Sequence, residues 1–242
     1  MACSLTAPTE YNVLAYAMAL EDFSDRRQTG KRLMKFYDCT TAPSPRRVRI
    51  FLAEKGLTVP TVQVDLRNNE QLTAGFRAIN PGATVPSLEL DDGTRINDAI
   101  GICVYFEAVH PQPPLMGENA EEKALITAWN REIERNGFYA VMEAFRNTTP
   151  GLKGRALPGP YDYEQIPALA ERGRVRVAHF FQQTDSRLAQ SEFVAGPRYS
   201  IADITALITV DFARWIKMTP PEEFQHLRRW HAQVSARPSA KA

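Results

Sequence analysis

The chain has 242 residues, of which 44% are hydrophobic and 24% are charged, and its formal net charge is +1. A chain of this length and composition can bury a sizeable core, in one large or two smaller domains. A net charge so near zero gives no broad field to attract nucleic acid or an acidic membrane surface, so neither is expected as a partner. Three cysteines without paired spacing argue against a disulfide framework, and the histidines form no helical ligand pair, so no metal site is expected.

The first 33 residues are interpreted as an appendage, because Met34 opens a segment that runs directly into a strand. The appendage is either a translated upstream segment or a flexible helix that docks on the body. Its apolar run at 13–20 is flanked by acidic residues, follows no basic region and is too short to span a bilayer. We therefore expect no secretion or transit signal, no membrane span, and a cytoplasmic location by default.

Residues 34–112 alternate between strand-like and helix-like patterns. The predicted elements are a strand at 35–37, a helix at 46–55 that Gly56 ends, a strand at 59–64, a short helix at 70–79, a Gly-tipped hairpin at 87–96 and a helix from about 98 to 110. The order βαβαββα implies a right-handed crossover followed by an antiparallel hairpin. This segment is therefore predicted to be an α/β domain of the thioredoxin-like type.

Residues 113–242 follow a proline-rich joint and are predicted to form an all-α bundle. Helices are predicted at 119–147, at 164–189, from Ser200 onward and at 222–236. Asn119 and Glu122 make a capping box for the first of these, and Ser200 and Asp203 make one for the third. The glycines and prolines at 150–163 cannot continue a helix, so this stretch is predicted to be a loop.

Five segments in register carry a resemblance to a known family. They are 46–56, 78–86, 103–107, 193–204, and Trp230 with 236–239. Together they cover 34–242, and the chain resembles a cytosolic glutathione S-transferase of the bacterial type. The resemblance implies a thioredoxin-like domain at 34–112 that binds glutathione as co-substrate, an α-helical C-terminal domain at 113–242, no metal, and a homodimer.

The resemblance also implies which residues hold glutathione. A cis bond before Pro86 leaves the backbone of Val85 free to pair with the cysteinyl part of the peptide, as an added strand would. The helix start at Asp98 points bare amides at the γ-glutamyl carboxylate, and Asp98 pairs with the α-amino group. The alternatives are an ordinary trans proline that enters an edge strand and a plain helix cap at Asp98.

Two of the binding positions depart from the family pattern. The usual acid-serine pair is Asp98 with Ala99, so only the Ala99 backbone amide remains, and the lost charge-assisted bond costs about 1.5–3 kcal/mol of affinity. Thr84 stands where a basic residue is common, which leaves Gln71 as the better candidate for the glycine end of glutathione. Gln71 can equally be a solvated helix residue.

The thiol-activating position departs further. Family members place a Ser, Cys or Tyr in the loop after the first strand, and the best register puts Ala42 at the Ser/Cys position. Activation needs only a donor that stabilises the thiolate, since each unit of pKa lowering is worth about 1.4 kcal/mol. Ser44 is the first candidate and Thr41 the second, with Arg46 as an electrostatic helper. Capping or loop solvation is the alternative role for all three.

The electrophile pocket is expected between the two domains, against the helix at 119–147 and under the loop at 150–163. Four residues of that helix recur at helical spacing, which does not fix the face they occupy: Asn136, Tyr139, Glu143 and Arg146.

Three functions remain open from the sequence. The preferred one is a homodimeric glutathione transferase, of the detoxification type, whose thiolate is held by Ser44 or Thr41 and attacks a small electrophile or a peroxide. The second is a non-catalytic binding or assembly module, in which the missing hydroxyls at Ala42 and Ala99 reflect lost chemistry. The third is a thiol-disulfide reductase that uses Cys39, although Cys39 lacks the Cys-Pro-x-x spacing and is expected to be buried.

Overall fold

The structure is a computed structural model that describes residues 33–242. The predicted appendage at 1–33 therefore lies outside the described residues, apart from Leu33. Within the described residues, the predicted order of a thioredoxin-like domain and then a helical domain is confirmed. None of these helices is long and apolar enough to cross a membrane. No cluster of three or more His, Cys, Asp or Glu side chains in the same range is arranged to hold a metal ion.

The sheet of the first domain consists of β1 (Lys35–Asp38), β2 (Thr61–Gln63), β3 (Ser87–Glu89) and β4 (Arg95–Ile96). Their order across the sheet is β2-β1-β3-β4. Strand β2 runs parallel to β1 because a helix crosses between them, whereas β3 runs antiparallel to β1 and pairs Leu88 with Phe36. Both of these residues are buried, so the centre of the sheet lies in the main core.

The helices of the first domain are α1 (Pro43–Glu54), a 3-10 turn (Glu70–Leu72), α2 (Ala74–Ile79) and α3 (Ala99–Val109). Helix α1 starts before the predicted residue 46, because a proline at the first helical position lacks only an N–H that the helix does not use. It ends before Gly56, whose φ of 65° is the predicted left-handed stop. The predicted helix at 70–79 is divided at Thr73, which has an extended backbone and caps α2.

The helices of the second domain are α4 (Ala120–Ile133), α5 (Tyr139–Thr148), α6 (Pro167–Leu188), α7 (Ile201–Ala213) and α8 (Gln225–Ser235). A π-helix (Glu134–Phe138) joins α4 to α5 without a break, so the helix predicted at 119–147 is one continuous rod with a widened turn. Gly137 lies in that turn, where a Cβ would stand 2.8 Å from both the Phe180 and the Thr209 side chains. The rod therefore packs against α6 and α7 more closely than a larger residue would allow.

The loop predicted at 150–163 occupies 149–166 and contains a 3-10 turn at Pro150–Leu152. Helix α6 begins at Pro167, after the predicted residue 164. The Ile166 N–H donates to Asn147 Oδ1 at 2.8 Å and thereby fixes the end of the loop just before the proline.

Helix α7 is the buried centre of the second domain. Ser200 and Asp203 form the predicted capping box, and Asp203 also accepts from the Val194 N–H and from Trp230 Nε1, each at 2.9 Å. Complete burial raises the pKa of Asp203 to about 6, even though these hydrogen bonds favour its charged form.

Three ion pairs between described residues join α1 to the helical domain: Arg46 with Asp211, Arg47 with Glu134, and Glu54 with Arg237. The last turn of the chain adds two further bonds to α1, from Ser239 to Glu54 and from Arg46 to the Ala240 carbonyl. We call 237–240 the C-terminal latch. Helix α1 is consequently held on one side by its own sheet and on the other by the end of the chain.

Candidate active site

Ser44 is the second residue of α1 and is half-buried. Ala42 is the N-cap and makes no side-chain bond, while Pro43 and Pro45 have no N–H, so Ser44 brings both an amide and a hydroxyl to the first turn. The Ser44 Oγ accepts from Nη2 of Arg47 at 3.2 Å. Because the oxygen is the acceptor in this bond, the hydroxyl proton stays available for a ligand.

Arg47 belongs to a buried ion pair between the two domains. Its Nη1 donates to Glu134 Oε1 at 2.7 Å, and both side chains are only 4% exposed. Its guanidinium also stacks over the Phe138 ring, 4.5 Å from the centroid. The other Glu134 oxygen accepts from Arg131 at 3.0 Å, so two guanidinium groups meet one carboxylate. The surroundings of Ser44 therefore favour an anion.

The other two residues predicted around the thiol take different positions. Arg46 donates to Asp211 at 2.7 Å and to the C-terminal latch, so the expectation that it assists Ser44 is wrong. Thr41 is exposed, and its Oγ1 lies 3.5 Å from the Sγ of Cys39, which is buried as expected. Of the two hydroxyl candidates, only Ser44 accepts a hydrogen bond from a cation among the described residues.

Val85 has a free backbone, as the resemblance implies. The Val85–Pro86 bond is cis, and Val85 makes no hydrogen bond to any residue of the described part of the chain. The preceding Thr84 is held by buried Asn80, whose Nδ2 donates to the Thr84 carbonyl at 2.7 Å and to its Oγ1 at 3.2 Å. The Val85 N–H and C=O are thus positioned by fixed neighbours and open to an extended peptide.

Helix α3 begins at Ala99 with Asp98 as its N-cap. The Asp98 Oδ1 accepts from the Gly101 N–H at 2.7 Å, so the capping role considered for Asp98 is present. Its Oδ2 and the Ala99 N–H have no hydrogen-bond partner among residues 33–242. This helix start can therefore offer one amide donor and one carboxylate oxygen to a ligand.

Gln71 is buried rather than solvated, which rules out the alternative considered for it. Its side chain lies in the 3-10 turn before α2 and is 6% exposed. The Oε1 atom is buried and accepts no hydrogen bond from the described residues. A buried amide without a partner is costly, and a bound ligand is one way to satisfy it.

The registers of the sheet bring these positions together at one end. Ser87 pairs with Tyr37, so two residues further the antiparallel register sets Val85 opposite Cys39, where the chain turns toward α1. Leu88 pairs with Ile96, and continuing that register sets Pro86 opposite Asp98. The segments that carry Ser44, Val85 and Asp98 therefore leave the sheet side by side.

The four residues of the helix expected to line the electrophile pocket make different contacts. Glu143 accepts from two arginines of α6, and Asn136 donates to Glu132 and lines a cavity of about 290 Å³ between α4 and α6. Tyr139 is 39% exposed, and Arg146 lies under the loop at 149–166. Asn136 and Glu143 are therefore engaged within the helical domain, and Arg146 with the loop.

Two residues of this site were missed by the sequence analysis. Arg47 stands three residues after Ser44, the spacing at which side chains meet on a helix, so a signal was present. Glu134 is 87 positions away from Arg47, and no local pattern connects them.

Comparisons with known proteins agree with this geometry. The family described as Glutathione S-transferase, N-terminal domain, matches residues 41–109, and Glutathione S-transferase, C-terminal domain, matches 138–238. Glutathione S-transferase 2 of Saccharomyces cerevisiae is 36% identical over 214 residues, which cover 87% of this chain and 89% of the yeast protein.

Solved structures give the same result. A glutathione S-transferase domain-containing protein of Marinobacter aquaeolei is 40% identical, with a TM-score of 0.78 over 85% of this chain and 98% of that one. A class Gtt2 glutathione S-transferase of Vibrio parahaemolyticus is 34% identical, with a TM-score of 0.74 over 86% of this chain and 96% of that one. On these grounds the chain belongs to the glutathione S-transferase family.

Proposed function

We propose that the protein is a glutathione transferase that conjugates or reduces small electrophilic or hydrophobic substrates with glutathione. The observation that carries this proposal is the Ser44 hydroxyl, which accepts from buried Arg47 at the N-terminus of α1 and retains its own proton for a thiolate. Membership of the family and the open backbone of Val85 support the same reading.

Glutathione would lie across the end of the sheet where these segments meet. The backbone of Val85, between Thr84 and the cis Pro86, pairs with the cysteinyl residue in the manner of an added strand. The Ala99 N–H binds the γ-glutamyl carboxylate, and the free oxygen of Asp98 binds the α-amino group. Gln71 binds the glycine end, where its orphaned Oε1 accepts from the glycyl N–H of glutathione.

Ser44 would then stabilise the glutathione thiolate. Its hydroxyl and amide donate to the sulfur. The two positive charges of Arg47 and Arg131 outweigh the single negative charge of Glu134, which favours the thiolate. The thiol proton passes to solvent, the sulfur lone pair forms the new bond to the electrophile, and the leaving group departs with its electrons. Thr41, which is exposed and beside Cys39, is the second candidate for this role.

We also propose that the protein acts as a homodimer in the cytoplasm. The homodimer rests on similarity to the family, and the cytoplasmic location rests on that similarity and on cysteines that lack paired spacing.

The decisive experiment is a calorimetric titration of the full chain with glutathione, followed by a pH titration of the ultraviolet absorbance of the bound thiol. We expect binding, and a thiol pKa below the roughly 8.5 of a free thiol. No binding at millimolar glutathione would overturn the proposal. Binding without a lowered thiol pKa would favour a non-catalytic module of the same fold.

A further inference from the structure

Arg146 is a cation that pairs with no carboxylate of the described residues. Its Nη2 donates to the carbonyls of Arg155, at 2.5 Å, and of Leu157, at 3.1 Å, while no carboxylate of the described residues pairs with it. Its Nε is buried and finds no acceptor in the same part of the chain, and its Nη1 donates to none of the described residues. Burial and then the like charge of Arg155 lower the pKa of Arg146 to about 10, which leaves it protonated at neutral pH.

The loop above Arg146 reaches the first domain. Nη1 of Arg155 donates to Asn69 Oδ1 at 3.1 Å, two residues before Gln71. Gly159 lies against the Gly82 carbonyl, which would be 3.8 Å from a Cβ at that position. The loop thus extends from Arg146 to the segments on either side of the proposed glutathione site.

Arg146 also shares a helix face with the residue that packs on Arg47. Phe138, Met142 and Arg146 recur at intervals of four residues, which places them in one row. The Phe138 ring contacts the Arg47 guanidinium. Arg146 lies eight residues further along the helix, which is about 12 Å along the axis at 1.5 Å per residue. Long helical side chains lean toward the N-terminus of their helix, which for Arg146 is the direction of Phe138.

We propose that Arg146 is an anion subsite of the electrophile pocket and that the preferred electrophiles carry a carboxylate. This inference rests on the proposed function, since the electrophile has to react at a sulfur beside Ser44. A partly buried guanidinium without a counter-ion is costly to the folded protein. A carboxylate on Nη1 would compensate this charge and would orient the substrate along the row from Arg146 to Phe138.

The test measures binding, so that it does not depend on turnover. The full chain is first titrated with S-methylglutathione and then, when saturated, with 3,5-dinitrobenzoate or with 3,5-dinitrobenzamide, which have the same ring and no leaving group. We expect the carboxylate to bind at least about tenfold more tightly than the amide, as for a hydrogen bond to a charged group. The Arg146→Met variant should bind both compounds equally.

Arg172→Met is the matched control, because Arg172 is exposed, lies on α6 and binds Glu143 rather than the loop at 149–166. It should keep the preference of the wild-type protein for the carboxylate. Equal affinities in the wild-type protein would overturn the proposal, and so would a preference that survives in Arg146→Met. If Arg146→Met does not fold, Arg146→Gln serves in its place, and the wild-type comparison alone can still overturn the idea.

The first titration separates the remaining outcomes. Failure to bind S-methylglutathione would overturn the proposed function and this inference with it. A loss of about tenfold or more in the affinity for S-methylglutathione in Arg146→Met, without a difference between the two dinitro compounds, would assign Arg146 to the glycine carboxylate of the peptide. That result would overturn the proposal for the electrophile and leave the proposed function standing.

Discussion

Arg47 and Glu134 form a 2.7 Å ion pair that is buried on both sides and joins the first helix of one domain to the π-turn of the other. A buried pair is costly to break from one side, because the remaining charge loses its partner without regaining water. Here the same guanidinium also donates to Ser44 Oγ. Stability and the proposed thiol chemistry therefore depend on one side chain.

A double-variant cycle can separate these two roles. Arg47→Met and Glu134→Leu should each lower the free energy of unfolding by about 3–5 kcal/mol, whereas the double variant should recover much of that loss. The pKa of the bound thiol should be higher in Arg47→Met than in the wild-type protein, and it should be equally high in the double variant, because Ser44 lacks its cation in both. Urea unfolding and thiol absorbance measure the two effects. A double variant whose bound thiol has the same pKa as in the wild-type protein would contradict the role given to Arg47.

Removing the Ser44 hydroxyl should impair chemistry without harming the fold. Loss of one donor to a thiolate is worth about 1.5–3 kcal/mol, so Ser44→Ala should lower kcat/KM by about 10- to 100-fold and raise the pKa of the bound thiol. Ser191→Ala removes a hydroxyl that bonds the Gly196 carbonyl in a distant turn and serves as the control. If Ser44→Ala keeps full turnover and Thr41→Ala does not, the thiolate donor is Thr41.

Cys39 should be dispensable. Its side chain is buried at the end of β1, with Sγ 3.5 Å from Thr41 Oγ1, so it is poorly placed to form a mixed disulfide. Cys39→Ser should keep the conjugating activity of the wild-type protein with a neutral chloronitrobenzene. Disulfide reduction that depends on Cys39 would instead support the reductase function.

A methyl group at Gly137 should destabilise the rod. The added Cβ would stand 2.8 Å from Phe180 and Thr209, and overpacking of this kind costs about 1–3 kcal/mol. Gly151→Ala is the control, because a Cβ there meets nothing within 4 Å. Thermal unfolding of the two variants should show a lower Tm for Gly137→Ala alone. Equal Tm values would mean that the π-turn relaxes without cost.

The contribution of Asp203 to the free energy of unfolding should decrease as the pH rises. Its folded pKa of about 6 lies above that of an exposed aspartate, so its contribution is complete below about pH 4 and is lost as the pH rises through 6. Asp203→Asn cannot accept all the same hydrogen bonds and should be less stable by about 1–3 kcal/mol at low pH. The difference between the two proteins in urea unfolding should shrink from pH 5 to pH 7.5. A difference that grows with pH would contradict the raised pKa.

How far the sequence predicts this structure depends on how local each signal is. The Ser200 capping box and the stop at Gly56 are set by residues within one helical turn, and both are present as predicted. The π-turn is different, because Gly137 meets side chains 43 and 72 positions further along the chain, those of Phe180 and Thr209. No local pattern reveals such a contact.

The same reasoning applies to the candidate site. The positions on the sheet end, such as Val85 and Asp98, follow from motifs of a few residues, and the structure brings their segments together. The partner of Ser44 was misjudged by one residue, because both Arg46 and Arg47 follow it closely. Which of the two turns back to Ser44 is decided by Asp211 and Glu134, which belong to the other domain.

The C-terminal latch makes the final contacts of helix α1 depend on residues that are synthesised much later. Helix α1 is synthesised well before the C-terminal latch, yet Glu54 and Arg46 find partners there, and Arg237 is 183 positions further along the chain than Glu54. Domains generally fold as units from the N-terminus onward. Here the helix that carries Ser44 cannot reach its final surroundings until residues 237–240 have been made, so a chain truncated before them would lack the bonds of the latch to Glu54 and Arg46.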